Sequence, residues 1–161
     1  MKIKRVLSGG QTGTDQAALQ AAIDIGIEHG GWCPPGRISE EGKIPEHFNL
    51  TETPEDKDSS APKIPCSQRT IWNVRDADAT IIFLPDKRFD IGTHLSIHAS
   101  KKMNKNFLVV DPYQSNTLKQ IKKWLNSLDG DILNVSGPKE SKYPGIYKKI
   151  YSVIKEVLPL N

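Results

Sequence analysis

The stretch Val6-Leu7-Ser8-Gly9-Gly10-Gln11-Thr12-Gly13-Thr14-Asp15 carries the chain from a short apolar segment through glycines into an alanine-rich run. Lys2 to Leu7 has β-branched residues and no breaker, which predicts a buried strand. Gly13 to Ile23 is rich in helix formers, with Leu19, Ala22 and Ile23 on one face. Strand, glycine turn and helix in that order place free backbone N–H groups and a positive dipole end at the turn, a setting that favours phosphate or a similar anion. The turn lacks the Gly-Lys-Ser/Thr of a P-loop and the Gly-x-Gly-x-x-Gly of a dinucleotide fingerprint. Its structural alternative is a tight turn capped by Thr12, with Asp15 closing a capping box three residues on.

Outward from this turn the same alternation repeats. A second strand is expected between Ile27 and Pro34, and strands again at Ala79–Pro85, Phe107–Asp111 and Asp131–Ser136. Helices are expected at Ser67–Asp76, from near Thr93, at Thr117–Leu128 and at Gly145–Val157. In the last of these, Ile146, Ile150, Val153, Ile154 and Val157 share one face. Near-continuous apolar strands alternating with helices predict an α/β, Rossmann-like three-layer sandwich with a mostly parallel sheet of about five strands. Residues 1–161 fit one domain, interrupted by a polar loop at 37–65 without sustained periodicity, expected to act as a lid or an arm.

Composition narrows the function classes. A net charge of +3 does not indicate nucleic-acid binding. The eleven lysines against five acids in residues 101–161 fall mostly on expected helices, leaving Lys139 and Lys142 as candidates to face phosphate. Two cysteines, Cys33 and Cys66, are too few for a disulfide scaffold or a four-ligand zinc site and read as packing residues. No leader-like or membrane-spanning apolar run is visible, so a cytoplasmic protein without membrane partners is expected.

Three predicted strands end in Gly plus Ser/Thr segments: Ser8–Asp15, Gly92-Thr93 and Ser136-Gly137-Pro138-Lys139-Glu140-Ser141. In an open α/β sheet the carboxyl edge is where ligands bind. The candidate ligand contacts are Ser8, Gly9, Gly10, Gln11, Thr12, Gly13, Asp15, Gly92, Thr93, Ser136, Gly137, Pro138, Lys139, Glu140 and Ser141. For Asp15 a helix cap, and for Glu140 a solvated loop position, are the alternatives. His94 and His98 have metal-ligand spacing without a third partner, and Trp72 reads as core. Arg75 and Asp76 read as a mutual pair or a cap, and Asp111 as either a ligand-edge residue or a turn cap.

Ser8–Asp15, Gly30-Gly31-Trp32-Cys33-Pro34, Arg69–Thr80 and Leu133–Ser141 together resemble the molybdenum carrier family. That family lies in the Rossmann-like superfamily that includes the cytokinin-activating phosphoribohydrolases, also described as lysine-decarboxylase-like. The resemblance implies a homo-oligomer that carries a small anionic ligand, the molybdenum cofactor (molybdopterin) first among the candidates; the residues themselves point to no metal held directly by side chains. A nucleotide-sensing module and a phosphoribohydrolase acting on a nucleoside monophosphate are the alternatives. The related hydrolases carry Pro-Gly-Gly-x-Gly-Thr-x-x-Glu, and the matching Glu position is Ser96 here, which speaks against hydrolysis. The resemblance also suggests that Asn134–Ser141 and the following helix are the hydrolases' first unit moved to the C-terminus, giving the strand order 2-1-5-3-4.

Overall fold

The computed structural model describes residues 2–159; Met1, Leu160 and Asn161 of the expected domain lie outside the described residues. Five strands form the central sheet: β1 (Arg5–Leu7), β2 (Glu28–Gly30), β3 (Ala79–Phe83), β4 (Asn106–Val110) and β5 (Ile132–Ser136). Their order is β2-β1-β5-β3-β4, and every pairing is parallel. The strand order expected from the resemblance is therefore observed, with the last strand in the middle of the sheet. β1 and β3 register against opposite edges of β5, Leu7 on Asn134 and Ile82 on Ser136.

The helices are α1 (Thr14–Asp24), α2 (Ser67–Asp76), α3 (Ile91–Lys102), α4 (Thr117–Ser127) and α5 (Ile146–Val157). Side-chain alternation along the strands divides them into two layers. Val6, Ile81, Leu133 and Val135 face one core with Ala18, Ala22, Ile121, Ile150 and Ile154 from α1, α4 and α5. On the opposite face α2 and α3 pack through Ile71, Val74, Leu95 and Ala99. The apolar stripe read on α5 is buried in full, because it sits between the sheet and α1 and α4.

Two expectations are corrected in the second unit. The strand predicted from Ile27 to Pro34 breaks at Gly31, where φ is +125°, and Trp32–Cys33 leaves the main sheet to pair with Thr51–Glu52. The 37–65 stretch has regular structure as well: Ile38–Ser39 and Gly42–Lys43 form an antiparallel hairpin. Ile44 and Phe48 anchor this segment on Leu19 of α1 and on Cys33. Its polar composition concealed a few well-spaced apolar anchors. Trp72 is half-buried at the margin of the α2–α3 core, where it meets Trp32 edge-on at 4.8 Å and the Arg75 guanidinium lies 4.4 Å from its ring centre.

Candidate functional site

The loops after β1 and β5 are joined directly to each other. Ser8, fully buried, donates through its hydroxyl to the Val135 carbonyl at 2.7 Å. Thr14 donates to the Pro138 carbonyl through both its N–H (3.2 Å) and its hydroxyl (2.9 Å). Gly13, at φ +75°, lets the two backbones meet, since a Cβ there would lie 2.6 Å from the Glu140 nitrogen. The N–H groups of Gly9, Gly10 and Gly13 have no acceptor among the described residues. An amide without an acceptor beside a helix start is a favourable place for an acceptor oxygen.

The capping-box reading of this turn is corrected. α1 is preceded by Gly13, and no side chain caps it. The buried carboxylate of Asp15 accepts from the Gln11 N–H at 3.2 Å and pairs with Nη1 of Arg69 at 2.9 Å. Burial pushes the Asp15 carboxyl above its ordinary value, against the opposing pull of Arg69 and the Gln11 amide. Arg69 reaches Asp15 by crossing Gly9, where a Cβ would collide with the guanidinium. Its buried Nε has no partner among the described residues. A buried donor without an acceptor is costly, so this atom marks where a ligand acceptor would be favourable.

Beside this pair is a cleft of about 250 Å³, lined by Gln11, Asp15, Cys66, Arg69, Asp90, Gly92, Ser136, Gly137 and Lys139. A narrower recess continues toward Gly9, Asn73, Ser96 and Asn134. Both lie where the chain runs outward in opposite directions from β5, the crevice expected of an open parallel sheet.

The third loop is arranged differently from its sequence reading. Asp90 caps α3, its Oδ2 accepting from the Thr93 N–H (2.9 Å) and hydroxyl (2.5 Å). Lys142 lies 3.3 Å from its Oδ1. Burial alone would raise the Asp90 carboxyl, but the Thr93 bonds and Lys142 outweigh it and hold the group below its ordinary range. Thr93 is thus buried with both donors engaged. Ser136 shares a 2.8 Å hydrogen bond with Ser96.

Other candidates face elsewhere. The Glu140 carboxylate accepts from the N–H groups of Gly145 (2.7 Å) and Tyr147 (2.9 Å) at the start of α5. The hydroxyls of Thr12 and Ser141 both donate to Glu40. Gly10 packs on Ile44 and Leu50. Asp111 caps its own turn, accepting from the N–H groups of Tyr113 and Asp86. Arg75 and Asp76 form a pair at 2.8 Å. Cys66 lines the cleft, whereas Cys33 is buried in the small core under the hairpin.

Arg69, Asp90 and Glu40 were not among the residues singled out from the sequence. For Arg69 a signal exists: a cation in the first turn of a helix opposes the helix dipole, so an arginine third in α2 implies a compensating acid. For Glu40 there is none, since its partners lie 28 and 101 positions away.

A model of the family described as "Circularly permutated YpsA SLOG family" matches residues 6–158. The chain belongs to the circularly permutated YpsA SLOG family. Permutation accounts for the sheet, because the unit β5–α5 comes last in the chain yet occupies the centre of this family member's fold. The crystal structure of a protein from Syntrophus aciditrophicus SB, titled "Putative molybdenum carrier protein", is 34% identical and superposes with a TM-score of 0.87. The match covers 98% of this chain and 96% of that one. No curated protein matches the chain. Among the described residues of this family member, no helix is long and apolar enough to cross a membrane. Nor do three or more His, Cys, Asp or Glu side chains gather there as a metal-ligand cluster.

Proposed function

We propose that this protein binds a phosphorylated pterin or nucleotide-like ligand without turning it over, and that the molybdenum cofactor is its cargo. The observation that carries this reading is the buried, unpartnered Nε of Arg69 beside Gly9, whose N–H has no acceptor among the described residues. Those donors suit acceptor oxygens of such a ligand, and Lys139 adds a positive charge on the same wall. Asp15 and Asp90 are acceptors on the cleft wall, suited to the amino and ring N–H donors of a pterin or purine edge. The Ser96 hydroxyl, held by Ser136, cannot replace the carboxylate of the related hydrolases, which favours holding over glycosidic cleavage. The metal of such a cargo would be carried by the pterin's own sulfurs, and the segment ending at Pro65 and Cys66 forms the nearest covering wall. The resemblance supports a homo-oligomer working with small ligands; the length of 161 residues, the +3 charge and the two free cysteines support a single, cytoplasmic domain that does not work with nucleic acid.

The test is native mass spectrometry with metal analysis on protein purified from a molybdenum-replete host. A co-purifying mass of a phosphorylated pterin together with molybdenum is expected. A bound nucleotide with neither pterin nor molybdenum would overturn the carrier reading in favour of nucleotide sensing, and release of free base from AMP would overturn the non-catalytic reading.

A further inference from the structure

The hairpin tip over residues 38–43 makes one charged contact with the rest of the molecule. The Glu40 carboxylate accepts from the Thr12 hydroxyl, the Ser141 hydroxyl and the Ser141 N–H, the last at 3.0 Å, and the Lys139 ammonium lies 3.9 Å away. Its donors come from both strand-end loops that build the cleft, and Lys139 itself lines that cleft. Hydroxyl, amide and ammonium converging on one pair of oxygens is the donor set of a phosphate subsite. Burial alone would raise the Glu40 carboxyl, but the Ser141 and Thr12 bonds outweigh it and hold the group in its charged form.

The hairpin is held unevenly along its length. Its base is fixed by Ile44, fully buried, and by Arg37, which donates to the Phe48 and Pro45 carbonyls at 2.9 Å each. Its tip has an exposed Ile38 and, besides the Glu40 carboxylate, one bond to the body among the described residues, from the Glu40 N–H to Gln11 at 2.9 Å. The side chain that reaches the subsite is therefore on the part of the segment with the fewest anchors.

We propose that the notch between Thr12, Lys139 and Ser141 is the subsite for the terminal phosphate of a phosphate-monoester ligand, and that Glu40 occupies it as an intramolecular surrogate which the ligand displaces. A phosphate dianion presents more acceptor oxygens and more charge than a carboxylate, so it competes for the same donors on favourable terms. The surrogate keeps the donors satisfied without ligand, and it reduces apparent affinity by the fraction of molecules whose subsite is filled. This inference rests on the anion-binding reading of the cleft.

The experiment titrates inorganic phosphate and AMP calorimetrically into wild type, E40Q, E40A and E41Q. Glu41 occupies the same turn and its side chain contacts nothing across the cleft, so E41Q removes an equal charge without emptying the subsite. E40A is expected to bind phosphate about tenfold more tightly, the scale of a modest population shift. E40Q is expected in the same direction, and E41Q within about twofold of wild type. Phosphate added to wild type is expected to speed amide exchange in residues 38–43. If E40A and E40Q bind no more tightly than E41Q, the surrogate role is refuted while the cleft reading stands. If no variant binds either anion, the cleft reading itself fails and the surrogate role falls with it. Thermal melts of each variant exclude misfolding as the cause of weak binding.

Discussion

Replacing Arg69 by methionine tests the organisation of the cleft most directly. The pair is enclosed, with 16% of the Arg69 side chain and 7% of the Asp15 side chain exposed, so solvent screens it little. Removing one partner of a buried pair strands the other charge, at a cost of about 3–5 kcal/mol. Asp15 has an escape that sets the pH dependence. Its carboxyl already lies above the ordinary 3.8 through burial, and losing Arg69 removes an opposing influence, so the R69M value moves higher still. A raised carboxyl stabilises the fold below its unfolded pKa and loses that contribution as pH rises through the folded pKa. Between the wild-type and R69M values the variant is protonated where wild type is charged. There the stability gap closes by about 1.4 kcal/mol per unit as pH falls. Guanidinium unfolding of both proteins across a pH series should therefore show the R69M penalty growing as pH rises through the interval between the two values. R69M/D15N should recover most of the loss, and phosphate binding should be weaker in R69M throughout the series. A pH-independent penalty, or a double variant as unstable as R69M, would refute the claim that Asp15 is a buried charge balanced by Arg69.

Gly13→Ala should lower stability by about 1–3 kcal/mol, read as a fall in Tm, because φ +75° with ψ −121° suits glycine and a Cβ would press on the Glu140 amide. Ile150→Ala should cost about 2–5 kcal/mol in urea unfolding and leave phosphate affinity unchanged, since Ile150 is fully buried under the sheet away from the cleft. Asp90→Ala should cost about 1 kcal/mol by removing the α3 cap. Because the Asp90 carboxyl is held below its ordinary 3.8, that difference should be full at pH 5 and above and shrink only as pH falls below 3.8.

The alternation of strands and helices was legible because each element carries its own period: β3 is a predominantly apolar run buried along its whole length, and α5 shows a 3.6-residue stripe. The central position of β5 was legible for a different reason. Asn134–Ser141 resembles a unit that starts the chain in related proteins, so its place in the sheet came from kinship. Ser8–Gly13 and Ser136–Lys139 were readable as strand-end loops, and six of the singled-out residues, Gln11, Asp15, Gly92, Ser136, Gly137 and Lys139, line the cleft. Thr93 and Thr12 looked like free hydroxyl donors, and in the fold they are taken by Asp90 and Glu40. Hydrogen-bond competition of that kind leaves no trace in composition or spacing.

Local periodicity and glycine placement were enough to read a parallel α/β sheet with a glycine turn after its first strand, because backbone sterics and amphipathic burial act over a few residues at a time. The identity of the groups facing that turn was set by folding. Arg69 meets Asp15 across 54 positions, and Glu40 meets Ser141 across 101. Such pairs form because packed layers bring distant segments together, and buried charge must then find its partner wherever the fold supplies one.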